Sequence, residues 1–186
     1  MIGVIAATIL PLGFLAVLFC GGALFLRKHI QQDGEAPIQR TLFYLSKYSI
    51  LALWGVMVLQ IWGISISVFE VPASIQVIGL VAWFLGFALL YLGRFEMGSS
   101  FRLGTPKEHT RLKVEGLFRF SRNPMYMGMY ATIVAAAVYT LNPVVILLGA
   151  FVIAIHHSIV LAEEEHMQNT FGQEYLAYRN RVRRYI

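Results

Sequence analysis

Charge is scarce in this 186-residue sequence: 13% of residues are charged, with 10 Asp and Glu against 15 Lys and Arg. Soluble domains carry about 25% charged and roughly 45–50% apolar residues, whereas 58% of this chain is hydrophobic. A water-soluble globular domain is excluded, and the composition is that of an integral membrane protein. Cysteine is nearly missing too. Cys20 alone allows neither an intramolecular disulfide nor a cysteine-based metal cluster, and inside an apolar block it reads as a small hydrophobe. The His, Asp and Glu residues show no metal-ligand spacing, so no metal is expected. No basic residue precedes the first apolar block, unlike a secretory leader, so a retained first helix is expected. Internal repeats and low-complexity tracts are also lacking.

What the chain does have is long apolar blocks: Met1–Leu26, Ser49–Phe69, Ile75–Gly93, Met125–Leu141 and Val144–Ala162. Each approaches the roughly 20 residues that a spanning helix needs. The expectation is an all-α polytopic fold of about five transmembrane helices. It forms one domain over 1–186, with three spans in 1–93 and a loop, helical hairpin and tail in 94–186. Glu70-Val71-Pro72 and Asn142-Pro143 read as short turns, and 31–38 reads as a plain connecting loop. Every Lys and Arg lies in one of three segments: Arg27 to Lys47, Arg94 to Arg122, and Arg179 to Arg184. With five spans these share one side, and the positive-inside rule makes it the cytosol. The N-terminus then faces out, the C-terminus faces in, and the site belongs to the cytosolic face. The formal charge of +5 thus sets orientation, and nucleic acid is not an expected partner.

The most informative stretch is Gly116 to Tyr130, where two arginines, an Asn-Pro and several aromatics stand at the entrance to an apolar block. Gly116 can take positive φ or let backbone approach a ligand. Pro124 starts a helix where its missing N–H costs nothing. Such an N-terminus, with Arg122 and the Tyr126 hydroxyl, suits a carboxylate or phosphate. Taken singly, Arg119, Arg122 and Tyr126 serve equally well as interfacial anchors. Glu163-Glu164-Glu165 is the counterpart. Placed at the cytosolic end of the fifth helix, three carboxylates oppose the macrodipole and call for compensation. The tight turn at Asn142-Pro143 makes a hairpin that returns Glu163 to the face of Arg122, a pairing able to hold a zwitterion. The alternative is a solvated acidic run with a surface ion pair of little energy.

Gly116-Leu-Phe-Arg-Phe-Ser-Arg-Asn-Pro-Met-Tyr-Met-Gly128, followed by Glu163-Glu164, Phe171-Gly172, Tyr175, Tyr178 and Val182, resembles the isoprenylcysteine carboxyl methyltransferase and phospholipid methyltransferase superfamily. The likeness covers about the last half of the chain. It implies S-adenosylmethionine as methyl donor and a lipophilic acceptor reached from the bilayer, a prenylcysteine-like carboxylate or a lipid amine or thiol. By the same resemblance Leu112, Gly116 and Phe118 lie along the cofactor. Asn123, Pro124 and Tyr126 hold its polar end, and Glu163 or Glu164 takes its amino group or ribose. Arg122 and Glu164 are the expected catalytic pair, with Arg122 also suited to orienting the acceptor.

The sequence departs from the family pattern at Phe118, where a Tyr is usual, and at Ile159, where related chains often carry Arg. His156 and His157 lie nearby, but neighbours on a helix cannot both face one site. One of them is a substitute for the lost guanidinium or, like its neighbour, a packing residue. His109 reads as a solvated loop residue. Tyr175, Tyr178, Val182 and Tyr185 recur near helical spacing among arginines, as in a basic helix lying at the interface. Relatives usually continue through a Pro beyond the position where this sequence ends, Ile186. Two other classes remain: a membrane sterol-type reductase using NADPH, which would usually show Cys and Lys-Tyr-Gly near the tail, and a non-catalytic membrane scaffold.

Overall fold

The computed structural model describes residues 2–26, 38–98 and 112–186. The loop at 31–37, His109 and the side chain of Cys20 lie outside the described residues. All regular structure described is helical: α1 (Ile2–Leu26), α2 (Arg40–Ile61), α3 (Ala73–Met97), a 3-10 turn (Gly116–Arg119), α4 (Pro124–Thr140), α5 (Pro143–Phe171) and α6 (Gln173–Arg181). Three of these, α2, α3 and α5, are long and apolar enough to cross a membrane. The 17-residue α4 sits at the short end of the spanning range.

Buried apolar groups from α1 to α5 form one core. Phe14, Trp54, Trp83 and Phe87 meet at its centre, with Leu53, Met57 and Ile133 around them. The closest approach is between α3 and α4. A Cβ on Gly86 would stand 2.8 Å from the Gly128 carbonyl oxygen, and one on Gly128 would stand 2.6 Å from that of Gly86. Small residues at such a crossing let two backbones touch, which is how packing holds helices together in lipid. Polar side chains complete the contact. The Trp54 indole donates to the Thr132 hydroxyl at 2.9 Å, joining α2 to α4.

Pro11 inside α1 has no N–H for the Ala7 carbonyl four residues back. The Trp83 indole fills that place, donating to the Ala7 oxygen at 3.1 Å, and the Tyr91 hydroxyl donates to Leu10 at 2.9 Å. An orphaned carbonyl among apolar helices is costly, so the proline fixes where α3 docks.

α3 runs on to Met97, past the Gly93 expected, and three other helices depart further from their expected bounds. α2 begins at Arg40 and stops at Ile61, because Gly63 turns the chain at φ 86° and the Gln60 side chain accepts from the Ile66 and Ser67 N–H groups. The connection between α2 and α3 therefore runs from Trp62 to Pro72 and is longer than the three-residue turn expected. α5 runs on to Phe171, so Glu163–Glu165 lie inside the helix rather than at its end. The third is α6, which ends at Arg181, leaving Val182–Tyr185 non-helical and Tyr185 off the helical face assigned to it. The turn at Asn142-Pro143 is as expected: Leu141 is left-handed, and the Asn142 carbonyl oxygen Oδ1 caps α5 through Val144 and Val145.

Candidate active site

Two short segments on either side of α4's entrance set the geometry. Ahead of it, Gly116 takes φ 62°, and a Cβ there would run into the Glu96 carboxylate. Glu96 accepts from the Leu117 N–H at 2.7 Å, and the Tyr178 hydroxyl donates to the Phe118 carbonyl at 2.7 Å. Burial pushes the Tyr178 hydroxyl up to about 12, which keeps it a donor at any ordinary pH. The 3-10 turn is thus held from α3 on one side and α6 on the other. Phe118 is buried in it, so the missing Tyr hydroxyl at this position is replaced by packing.

Behind the turn, Arg122 and Glu164 meet as a two-pronged pair. Arg122 Nε donates to Oε1 at 3.1 Å, and Nη2 donates to Oε1 and Oε2 at 2.9 and 3.1 Å. Their side chains are 7% and 11% exposed, so this is a desolvated pair rather than a surface one. Arg122 Nη1 donates to the carbonyls of Val182, at 2.5 Å, and Arg179, at 3.3 Å. Asn123 Nδ2 donates to Glu164 Oε1 at 3.2 Å.

Arg184 is the member that sequence reasoning missed. Its Nε and Nη2 donate to Glu164 Oε2 at 3.1 and 3.0 Å, and these bonds raise its own guanidinium pKa. The arginine expected to anchor in headgroups instead completes the cluster. It arrives because Val182–Tyr185 doubles back. The Arg122 N–H donates to the Arg183 carbonyl at 3.0 Å, and Ser121 Oγ and Asn123 Nδ2 donate to the Arg184 carbonyl at 3.0 and 3.3 Å. Ile159 is buried in the core, so the second guanidinium beside the acidic pair comes from the tail.

Glu163 points elsewhere. Its Oε2 accepts from the Tyr126 hydroxyl at 3.0 Å, and the Lys47 ammonium on α2 lies within electrostatic reach of both Glu163 and His156. The two histidines separate as helix geometry requires. Nδ1 of His156 must carry the proton it donates to the Val152 carbonyl, at 2.9 Å, since a carbonyl only accepts. Nδ1 of His157 stands 2.8 Å from the Tyr185 hydroxyl. The structure therefore brings Arg122, Asn123, Pro124, Tyr126, Glu163 and Glu164 together. Gly116 and Phe118 lie in the adjoining turn, and Leu112 lies half-buried in the extended stretch before it. Among the described residues no group of His, Cys, Asp and Glu could hold a metal ion.

A family model described as phospholipid methyltransferase matches residues 71–174, a span running from the start of α3 to the start of α6. Methanethiol S-methyltransferase 1 of Bradyrhizobium diazoefficiens is 27% identical over 157 residues, which cover 78% of this chain and 53% of that protein. Protein-S-isoprenylcysteine O-methyltransferase of Saccharomyces cerevisiae is 28% identical over 109 residues, covering 53% of this chain and 46% of the relative. The chain spans about half the length of the curated relatives it matches.

Proposed function

The chain belongs to the phospholipid methyltransferase family, and on that premise we propose that it transfers a methyl group from S-adenosylmethionine to a lipophilic acceptor that enters from the bilayer. The observation that carries the reading is the paired arrangement of Glu164, held by two guanidiniums, beside Glu163, held by one tyrosine. The residues fit the cofactor's polar end. It presents an ammonium and a carboxylate, and the site presents a carboxylate and a guanidinium with capacity to spare. Glu163 Oε1 and Arg184 Nη1 carry no hydrogen bond among the described residues, whereas Arg122 and Glu164 are fully engaged with each other and with Arg184, Asn123 and backbone carbonyls. Glu163 therefore takes the amino group and Arg184 the carboxylate, while Asn123, whose amide donates to Glu164 and to the Arg184 carbonyl, holds that polar end of the site in shape. Arg122 and Glu164 hold these groups in place. Gly116, at positive φ and with its Cβ place taken by the Glu96 carboxylate, shapes the turn that we assign, with Leu112 and Phe118, to the rest of the cofactor.

S-adenosylmethionine supplies an electrophilic methyl on a sulfonium. The protein's part is alignment at about 3 Å and exclusion of water. In this reading α1 and α4 complete a five-span bundle with the N-terminus outside and the site on the cytosolic face. Arg179, Arg181 and Arg183, which are exposed, then rest on headgroups while Arg184 stays with Glu164. Thermal-shift and calorimetric titration of the detergent-solubilised chain with S-adenosylhomocysteine should show saturable stabilisation, and NADPH should have no effect. Stabilisation by NADPH alone would replace this reading with a reductase.

A further inference from the structure

We infer that Tyr185, with His157 behind it and Tyr130 beside it, is the end of the site that meets the acceptor, and that it is built for a lipophilic thiol. The inference rests on the methyltransferase reading above. Three elements supply the trio. The Tyr185 hydroxyl lies 2.8 Å from His157 Nδ1 on α5 and 3.4 Å from the Tyr130 hydroxyl on α4. Its ring packs against both, at centroid distances of 5.9 and 5.7 Å. His157 precedes Glu164 by two helical turns, so it stands roughly 10 Å further along α5, inside the apolar stretch. Tyr126 and Tyr130 are neighbours on α4 with rings 6.3 Å apart. The polar groups thus form one track: the Glu164 cluster at the entrance, Glu163 and Tyr126 next, and the Tyr185 trio at the far end. Polar groups at that depth are expensive and mark sites of function.

The trio has two hydroxyls and an imidazole but no permanent cation, so it offers a carboxylate acceptor no counter-charge. An amine would arrive protonated, with a pKa of about 10.4, and would need a carboxylate that the trio lacks. It does offer a route for one proton. A cysteine thiol has a pKa of about 8.5; a simple alkyl thiol, without the neighbouring amides, is a weaker acid and is almost wholly protonated at neutral pH, and its thiolate is the nucleophile. The S–H proton passes to the Tyr185 oxygen as the Tyr185 proton passes to His157 Nδ1, leaving an imidazolium. The acceptor sulfur uses a lone pair to form the new S–CH3 bond. The electron pair of the breaking methyl–sulfonium bond stays on the departing sulfur, which becomes a neutral thioether. The imidazolium later returns its proton to water. Tyr185 touches the acceptor, and His157 is a positioning residue acting through it.

Two acceptors separate proton transfer from folding: decanethiol, protonated at neutral pH, and 4-nitrothiophenol, already ionised. In Tyr185→Phe and His157→Asn, kcat for decanethiol should fall about 100-fold. With 4-nitrothiophenol it should fall by less than roughly threefold, and calorimetric affinity for S-adenosylhomocysteine should stay within about twofold of the unaltered chain. Equal losses on both thiols, loss of cofactor affinity in parallel, or no loss on decanethiol would overturn the assignment. So would preferential methylation of decylamine or decanoate by the unaltered chain. Failure of the unaltered chain to bind S-adenosylhomocysteine would instead bring down the methyltransferase reading itself, and the assignment with it.

Discussion

Arg122 places donors from all three of its nitrogens inside the protein, two toward one carboxylate and the third toward the carbonyls of Arg179, in the last turn of α6, and Val182, just after it. Removing it leaves Glu164 buried with half its compensation, and a broken buried pair costs about 3–5 kcal/mol. Arg184 is worth less, because its side chain is 30% exposed and water screens part of the bond. Arg184→Ala is expected to cost about 1 kcal/mol. Equilibrium unfolding in detergent should therefore rank Arg122→Ala well below Arg184→Ala, and a reversed order would contradict this account. In the double change Arg122→Ala with Glu164→Ala, part of the loss should return, because the stranded charge is gone. The Arg122–Glu164 pairing was legible in the sequence because a short hairpin had to bring the two together. Arg184 was not, since its place depends on a reversal after α6 that no periodicity announces.

Elements were read well where hydropathy and helix end coincide, and less well where they part. The Asn-Pro pairs at Asn123 and Asn142 start α4 and α5 as expected, each with proline at the first helical position. Glu163–Glu165 looked like a helix terminus because the apolar run ends there. Yet Glu, Met and Gln are good helix formers, and the helix continues until Gly172, whose φ of 51° ends it. The acidic run is therefore two turns clear of the macrodipole's end, and its compensation comes from guanidiniums. Contact between α3 and α4 gives a test at this scale. Gly128→Ala pushes a methyl against the Gly86 carbonyl and should cost about 1–3 kcal/mol by overpacking. Gly55→Ala, on an α2 surface where a Cβ meets nothing within 4 Å, should instead stabilise by up to about 1 kcal/mol. Similar effects at both glycines would mean that the crossing is looser than described.

Over the whole molecule, the five-helix core and the site share α4 and α5 but are completed at different points along the chain. The core of Phe14, Trp54, Trp83 and Phe87 closes without any residue after α5. The site does not, since Val182–Tyr185 carries Arg184 to Glu164 and Tyr185 to His157. Deleting residues 182–186 should leave helical circular dichroism nearly unchanged and abolish binding of S-adenosylhomocysteine in calorimetry. Retained binding would show that the tail is dispensable. The same division imposes an order in time. Synthesis proceeds at about 5–20 residues per second from the N-terminus, so α1 to α5 are made before Arg184. Glu164 enters the bundle with Arg122 and Asn123, and the nascent chain is an incomplete scaffold until the Val182–Tyr185 segment arrives. On the methyltransferase reading, competence for cofactor cannot precede the synthesis of Arg184, because a chain stalled before that residue lacks the second guanidinium on Glu164.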